Sequence, residues 1–401
     1  MDAFVFRARL RNYKSIAECD VSLGPLTFLV GPNGAGKSNF LDALHFVADS
    51  LQFSLYQALR NRGGINEVRR RSGGHPTHFE IRLDFNLPDG SRCDYRFRVG
   101  AQPHGEYEVQ VEQLSLERVM QPAVGFEVHG GRIVRTSQEG PAATPDSLYL
   151  GNVSGIDVFR PAYRALSRMG FYNLRPDAIR DLQPPDPGVL LNRDGSNIAS
   201  VLQRLARESP GSKRRVEEFL AVVVPGVRGV KTKNFGSKET LEFRQQVAGQ
   251  RFPWAFLASN MSDGTLRALG VLVALFQAAS TNGSRSTFLV GVEEPEAALH
   301  PAASGVLLDA LKEASRMTQV VVTSHSPDLL DDPVIDTDCI LAVVSEAGET
   351  KIGPLDPAGR LALRNKLYTA GELLRLDQLR PEQASGSLAS EDALRIFEPD
   401  E

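Results

Sequence analysis

The sequence predicts an α/β fold, in which a mixed or parallel core sheet is flanked by helices and joined to an antiparallel β lobe. Three observations lead to this prediction. An apolar strand at residues 26–30 runs through a glycine-rich turn into a helical pattern that begins near Lys37. Two further apolar strands, at 288–292 and 319–323, end in polar or charged residues, as buried parallel strands do at a ligand site. Residues 79–99 alternate like a hairpin.

The glycine-rich turn matches the phosphate-loop pattern G-x-x-x-x-G-K-[ST]. Glycines have no Cβ, so successive backbone N–H groups can point inward at phosphate oxygens, aided by the positive end of the following helix. We expect Lys37 to reach the terminal phosphates of ATP and Ser38 to bind Mg²⁺. A chance glycine turn is the alternative, but the flanking strand and helix favour a nucleotide site. The predicted cofactor-binding residues are Gly31, Pro32, Asn33, Gly34, Ala35, Gly36, Lys37 and Ser38.

Two strand ends carry the predicted catalytic residues. The strand at 288–292 ends in Glu293 and Glu294, at the edge where open α/β sheets bind ligands. We expect Glu293 to help Ser38 hold Mg²⁺, and Glu294 to orient or deprotonate the attacking water. His325 ends the strand predicted to lie beside this one, so we expect it to contact the terminal phosphate. A charged strand exit and a structural histidine are the alternatives.

Two other segments offer candidate contacts with the nucleotide. Arg11 and Asn12 lie on the turn before the strand that feeds the phosphate loop, where they either touch the nucleotide or form a solvated turn. Ser262 and Gly264 open a helix; Ser at such a position is first of all a cap, but an exposed helix start also binds anions.

Five arginines between residues 60 and 71 form the densest basic patch of the sequence. They either contact phosphates, of the nucleotide or of a nucleic acid, or they belong to a solvated loop. The sequence leaves both interpretations open.

The composition limits the class of protein. The chain has 401 residues, 42% of them hydrophobic, which suits one large or two medium domains. A net charge of −4 provides no global basic field, so any DNA contact needs a local patch. The three isolated cysteines fit a reducing compartment and argue against structural zinc. No signal peptide or membrane-spanning run is evident, so we expect a cytoplasmic protein with no membrane partner.

The rest of the chain follows the same patterns. Proline-interrupted residues 137–190 predict mostly loops. No heptad pattern persists, so no long coiled coil is expected. The remaining predicted strands are 4–10, 19–23, 107–116, 240–247, 340–344 and 350–355, and the remaining helices start near residues 198, 213, 265 and 301.

Taken together, four motifs resemble the ABC-type ATPase heads of the RecF and SMC class, which are AAA-type bacterial ATP-binding proteins. Residues 31–39 look like the Walker A motif, which adds Asn39 to the cofactor-binding residues. Residues 260–270 look like the signature motif, 290–301 like Walker B with the D-loop, and 321–327 like the histidine switch. The resemblance implies a P-loop NTPase that hydrolyses ATP and forms a homodimer around it. Each nucleotide would lie between one subunit's Gly31–Ser38 loop and the other subunit's Ser262–Thr265 helix start.

The resemblance also sets the expected domains and two departures. We expect the first half of the head at 1–104, an inserted mixed lobe at 105–238, the second half at 239–380 and a mobile acidic tail at 381–401. Asp263 stands where transporter-like members carry Ser or Gly, and Glu293 stands where Asp is usual. No segment supplies an evident Mg²⁺-contacting glutamine.

Two functions remain open at this point. The first is an ATPase acting on DNA in repair or anti-phage defence. The second is an ATP-gated scaffold that controls a partner effector protein, such as a toxin or nuclease. A transporter ATPase is disfavoured because the sequence lacks an LSGGQ-type signature.

Overall fold

The computed structural model describes residues 4–72, 76–118, 121–277, 287–332 and 335–382. The strands are β1 (Val5–Tyr13), β2 (Ile16–Ser22), β3 (Leu26–Val30), β4 (His78–Asn86), β5 (Arg92–Ala101), β6 (Tyr107–Arg118), β7 (Gln121–His129), β8 (Arg132–Thr136), β9 (Gly170–Tyr172), β10 (Val227–Phe235), β11 (Lys238–Gln245), β12 (Trp254–Leu257), β13 (Leu289–Glu293), β14 (Gln319–Ser324), β15 (Ile340–Glu346) and β16 (Glu349–Pro354). The helices are α1 (Lys37–Gln52), α2 (Leu55–Arg60), α3 (Ile65–Val68), α4 (Tyr149–Asn152), α5 (Arg160–Ser167), α6 (Pro176–Arg180), α7 (Ile198–Glu208), α8 (Pro210–Val223), α9 (Asp263–Phe276), α10 (Ser304–Ala314), α11 (Pro327–Leu330), α12 (Pro357–Arg364) and α13 (Ala370–Arg375).

The core sheet has the strand order β16-β15-β3-β14-β13-β9. All neighbours pair in parallel except β15 with β16, so the prediction of a mixed or parallel core sheet is confirmed. In the register, Val30 lies opposite Ser324, and Thr323 lies opposite Glu293. The carboxyl ends of β3, β14 and β13 are therefore level, which brings the phosphate loop, His325 and Glu294 to one edge of the sheet.

Side chains on the two faces of this sheet belong to two different cores. Leu29 of β3 faces the core that α1 shares with the second, antiparallel sheet of order β2-β1-β4-β5-β6-β7-β8. Phe28 and Val30 face the opposite core, where α7 to α10 pack. This alternation follows from the two-residue period of a strand, and burial on both faces explains why these strands are apolar throughout. A small sheet of order β10-β11-β12 completes the fold.

Loops occupy most of residues 137–190, as predicted, but this stretch also holds the short elements α4, α5, β9 and α6. Strand β9 has only three residues and pairs in parallel with β13. So short a strand shows no period in the sequence, which is why sequence patterns do not reveal it. The boundary predicted between residues 104 and 105 falls between β5 and β6, which pair along most of their length; the division into domains stays a prediction.

Several other expectations are confirmed. Helices α7, α8 and α9 cover the predicted periodic segments, and α1, the longest helix in the described parts of the chain, has 16 residues. A long coiled coil is therefore absent from those parts. The described helices include none with the length and apolar character needed to span a bilayer. From residue 383 onward, the predicted acidic tail lies outside the described residues.

Candidate nucleotide site

The loop between β3 and α1 depends on glycine at two positions for different reasons. Gly36 has a φ of 104°, and a Cβ there would lie 2.0 Å from the Oγ1 atom of Thr350. A Cβ on Gly31 would lie 1.9 Å from the carbonyl oxygen of Val343. The first position needs left-handed backbone, and the second needs close approach of two chains. Strands β15 and β16 therefore leave no room for a side chain at these two positions, as the predicted tight loop requires.

Polar side chains brace this loop from the protein side. The hydroxyl of Thr350 donates to the carbonyl oxygen of Ala35 at 2.9 Å and lies 2.7 Å from the Ser15 hydroxyl. The side-chain amide of Asn39 donates to Ser15 at 2.6 Å. Asn39, expected to bind the cofactor, thus makes a structural contact that fixes the loop.

Lys37 is 5% exposed and folds back over the loop. Its ammonium donates to the carbonyl oxygens of Gly31 at 2.8 Å and Pro32 at 3.0 Å. Burial lowers the pKa of Lys37, while the nearby carboxylates of Glu294 and Glu296 act in the opposite direction. The ammonium therefore lies within the electrostatic range of the β13 strand exit, as expected for one site.

Glu294 and His325 are brought together, as the strand order requires. The Nδ1 atom of His325 lies 3.0 Å from the Oε1 atom of Glu294. The backbone N–H of Glu294 donates to the carbonyl oxygen of Thr323 at 3.0 Å, so the pairing of the two strands continues to this residue. Glu294 has a φ of 45°, a left-handed conformation that is unfavourable for a residue with a Cβ.

Glu296 belongs to the same cluster, although the sequence reasoning missed it. It is largely buried, it accepts a hydrogen bond from the Ser324 hydroxyl at 2.6 Å, and burial raises the pKa of its carboxyl group. Its Oε2 atom is buried and has no hydrogen-bond partner among the described residues. The acidic run E-E-P-E is the signal that could have identified it.

Glu293, the predicted Mg²⁺ ligand, forms an ion pair with Arg193 at 2.7 Å. Within the described ranges, no contact joins it to Ser38, whose side chain is exposed at the start of α1. The described residues also contain no cluster of three or more His, Cys, Asp or Glu suited to a metal. The hydroxyl of Ser38, the Glu293 carboxylate and the unpaired Oε2 atom of Glu296 are nevertheless oxygen donors. This donor set fits Mg²⁺ that takes most of its ligands from phosphates and water.

Arg267, one turn into α9, is a second residue that the sequence reasoning missed. Its guanidinium donates to the carbonyl oxygen of Leu174 at 2.7 Å, and to those of Glu293 at 3.2 Å and Glu294 at 2.9 Å. Burial lowers the pKa of Arg267, and the carboxylates of Glu296, Glu294 and Glu293 counteract this effect. Arg267 therefore fixes the backbone that carries Glu294.

The start of α9 is capped and faces solvent. The hydroxyl of Ser262 accepts from the backbone N–H of Thr265 at 3.3 Å, which confirms the predicted cap. A Cβ on Gly264 would lie 2.5 Å from the carbonyl oxygen of Ala298, so this helix start touches the loop that follows β13. Asp263 is ion-paired with Arg180, which turns its charge towards a cation of the same subunit.

The structure gives the N-terminal turn residues protein partners. Arg11 is exposed and lies 3.8 Å from Glu18 on the outer face of the antiparallel sheet. Asn12 has a φ of 55°, and its carbonyl oxygen accepts from the backbone N–H of Arg70 at 2.7 Å. Among the contacts that the structure describes, none joins either side chain to the phosphate loop, and their role at a nucleotide remains a prediction.

Most of the arginine patch at 60–71 is engaged within the protein. Arg62 is buried and pairs with Asp42 at 2.9 Å and Asp49 at 2.8 Å. The other contacts join Arg69 to Asn66 and the Pro76 carbonyl oxygen, Arg70 to Glu349, and Arg71 to Glu67. The patch therefore offers much less free positive charge than its sequence suggests.

Comparisons with known proteins agree with this geometry. Residues 26–121 and 178–331 match the family described as "AAA domain, putative AbiEii toxin, Type IV TA system". The OLD nuclease of Thermus scotoductus is 24% identical over 345 residues, which cover 81% of this chain and 59% of that protein. Structural maintenance of chromosomes protein 1 of Schizosaccharomyces pombe is 26% identical over 156 residues, which cover 34% of this chain and 13% of that protein. The chain thus spans less than two thirds of either relative.

Solved structures share the fold. An SmcHead bound to the C-winged helix domain of ScpA superposes with a TM-score of 0.56 at 16% identity, covering 89% of this chain and 99% of that one. An Smc head domain with an extended coiled coil, bound to the C-terminal domain of ScpA derived from Pyrococcus furiosus, gives a TM-score of 0.50 at 14% identity, with 91% and 99% covered. The family match covers more than half of the chain and includes the phosphate loop and both strand ends that carry the candidate catalytic residues. The chain therefore belongs to this AAA family of ATP-binding ATPases, and its fold is an ABC-type ATPase head of the RecF and SMC class.

Proposed function

We propose that this chain binds ATP with Mg²⁺, hydrolyses it, and forms a homodimer around the nucleotide to act on DNA. The observation that carries the proposal is the contact between Glu294 and His325 at 3.0 Å. It lies beside the phosphate loop, where burial lowers the pKa of Lys37 and the carboxylate of Glu294 acts in the opposite direction. A base, its orienting partner and a phosphate-binding cation are thus positioned by adjacent strand ends.

Each residue has a role that its position supports. Lys37 would neutralise phosphate charge, and the ammonium can exchange two carbonyl partners for phosphate oxygens. Glu294 would orient the attacking water and take its proton, with His325 holding the carboxylate and contacting the terminal phosphate. Ser38 and Glu293 would hold Mg²⁺, which supplies charge neutralisation when bound.

The exposed start of α9 supports the proposed dimer. One subunit's helix start presents backbone N–H groups to an anion, and Arg180 compensates the charge of Asp263 at this position. If ATP lies between this helix start and the partner's phosphate loop, its charge stabilises the dimer, and hydrolysis releases it.

DNA is the proposed substrate because of the similarity to the OLD nuclease, with roles in repair or anti-phage defence. The charge distribution favours the second candidate, an ATP-gated scaffold for an effector protein. The net charge is −4, and most of the arginines at 60–71 have protein partners. The SmcHead with the same fold is itself bound to a domain of another protein, ScpA.

The test uses Glu294→Gln, with the exposed Glu346→Gln as a control of equal charge. The Glu294 variant should retain ATP binding, accumulate dimers in ATP by size measurement and hydrolyse poorly, whereas the control should turn over normally. A variant that stays monomeric in ATP refutes the dimer, and normal hydrolysis refutes the role of Glu294. Adding DNA at low salt then separates the two functions: ATP-dependent capture supports action on DNA, and its absence with co-purification of a protein partner supports the scaffold.

A further inference from the structure

Arg193 belongs to none of the four motifs, yet it contacts a residue of the candidate nucleotide site. Its guanidinium lies 2.7 Å from the Oε1 atom of Glu293, the carboxylate that we propose binds Mg²⁺. The Glu293 side chain is only 15% exposed, whereas that of Arg193 is 46% exposed. The carboxylate is thus fixed in the site, and the cation is the partner that can move.

The backbone around Arg193 is anchored independently of this ion pair. The carbonyl oxygen of Arg193 accepts from the backbone N–H of Asn173 at 2.9 Å, and that of Asp194 accepts from Arg175 at 3.1 Å. The backbone N–H of Asn192 donates to the side chain of Asn197 at 2.8 Å. The guanidinium can therefore leave Glu293 while its loop stays in place.

Open space lies beside the ion pair. A cavity of about 480 Å³, lined by Asn173, Arg175, Asn192, Arg193, Asp194 and Ser196, adjoins this end of the sheet. Asp194 lines this cavity, and although its Oδ1 atom accepts from the backbone N–H of Ser196 at 3.0 Å, its carboxylate can still accept a displaced guanidinium. A second position for the Arg193 side chain is thus available without unfolding.

We propose that Arg193 competes with Mg²⁺ for the Glu293 carboxylate and so sets the concentration of Mg²⁺ needed for nucleotide binding. The inference rests on the proposed function. A guanidinium and a divalent cation repel each other. Because the Glu293 carboxylate is poorly hydrated, binding both cations at once would cost electrostatic free energy. The competition gives Arg193 a regulatory role: the ion pair opens when MgATP binds, and it closes when MgADP leaves.

The experiment measures binding of a fluorescent ATP analogue while MgCl₂ is titrated, so the readout does not depend on hydrolysis. Arg193→Gln should lower the Mg²⁺ midpoint by roughly two- to fivefold, the range expected for a partly exposed ion pair. Arg175→Gln removes the same charge from the same cavity and should leave the midpoint unchanged. Thermal unfolding confirms that each variant is folded.

Glu293→Gln completes a double-mutant cycle. It should raise the midpoint, and Arg193→Gln should have no further effect in its presence. If wild-type protein fails to bind the analogue, or if Glu293→Gln leaves the midpoint unchanged, the proposed function or its metal ligand is wrong. If both behave as expected, but Arg193→Gln leaves the midpoint unchanged or raises it, the competition is refuted alone.

Discussion

Replacing Arg267 with alanine should separate nucleotide binding from hydrolysis. Its guanidinium, which projects from α9, holds the carbonyl oxygens of Leu174, Glu293 and Glu294. Without it, the backbone of Glu294 loses the contacts that hold a left-handed conformation with a φ of 45°. Glu294 then keeps its contacts with Thr323 and His325, but its backbone can relax away from the proposed catalytic position.

The size of the effect follows from these contacts. A hydrogen bond from a charged donor contributes about 1.5–3 kcal/mol, and left-handed backbone costs roughly 1–2 kcal/mol at a residue with a Cβ. Water can replace part of what is lost because Arg267 is only partly buried. We therefore expect a loss of about 2–4 kcal/mol in the free energy of unfolding. Relaxation of Glu294 should lower kcat by roughly 10- to 100-fold, because a positioned general base contributes about 10²–10⁴-fold and a displaced one loses part of this.

The assay combines urea unfolding with steady-state ATP hydrolysis and analogue binding. Arg267→Ala should bind the analogue like wild type, and Arg267→Lys should also hydrolyse slowly because a single ammonium cannot span three carbonyl oxygens. Arg214→Ala, which removes an exposed arginine of α8, serves as the control and should change neither the free energy of unfolding nor kcat. Normal kcat in both Arg267 variants would refute the reasoning, whatever their stability.

Three further predictions concern the loop and the β lobe. Lys37→Ala should reduce ATP binding at least about 100-fold by titration, since it removes the main phosphate-binding cation; unchanged affinity would exclude this loop as the site. Gly36→Ala should weaken binding and stability together, because its Cβ would meet Thr350 at 2.0 Å, and a variant with wild-type melting and affinity would contradict this. Burial raises the pKa of Glu112 from 4.5 to about 7. Its contribution to stability is therefore complete below about pH 4.5 and is lost as the pH rises to about 7. In urea unfolding, the free energy of unfolding of wild type should therefore decrease across this range relative to that of Glu112→Gln.

The placement of the candidate catalytic residues at one edge of the sheet could be predicted because each of the patterns involved is local. A phosphate loop, two carboxylates and a histidine each follow directly after an apolar strand, and parallel strands bring their carboxyl ends together. The expectation that Lys37, Glu294 and His325 meet at one edge therefore follows from local sequence patterns. The pairing of β14 with β3, almost 300 residues away, and the level register of the three strands are features that the structure adds.

The ion pairs that the segment after β9 makes at this edge could not be expected in the same way. Arg193 lies 100 residues from Glu293, and Arg180 lies 83 residues from Asp263. Both follow β9, a three-residue strand without a detectable period, so the sequence gives no sign that this segment joins the core sheet. For the arginine patch at 60–71, the sequence does not reveal the acidic partners that the fold supplies. Its composition suggests a free basic surface, but the fold places acidic partners such as Asp42 and Asp49 around Arg62.

The contacts of the segment after β9 make the two halves of a proposed composite site dependent on each other. Its residues reach Glu293 through Arg193 and the start of α9 through Arg180, while Arg267 of α9 binds both Leu174 and the backbone of Glu294. In the proposed dimer, α9 contacts the partner's ATP, whereas Glu293 and Glu294 act on the subunit's own. Hydrolysis or release of one nucleotide would therefore alter contacts that, within the same subunit, extend to the residues around the other nucleotide. For this proposed dimer we expect the two sites to hydrolyse ATP cooperatively, and the cooperativity should weaken in Arg267→Ala because that variant removes the contact shared by both.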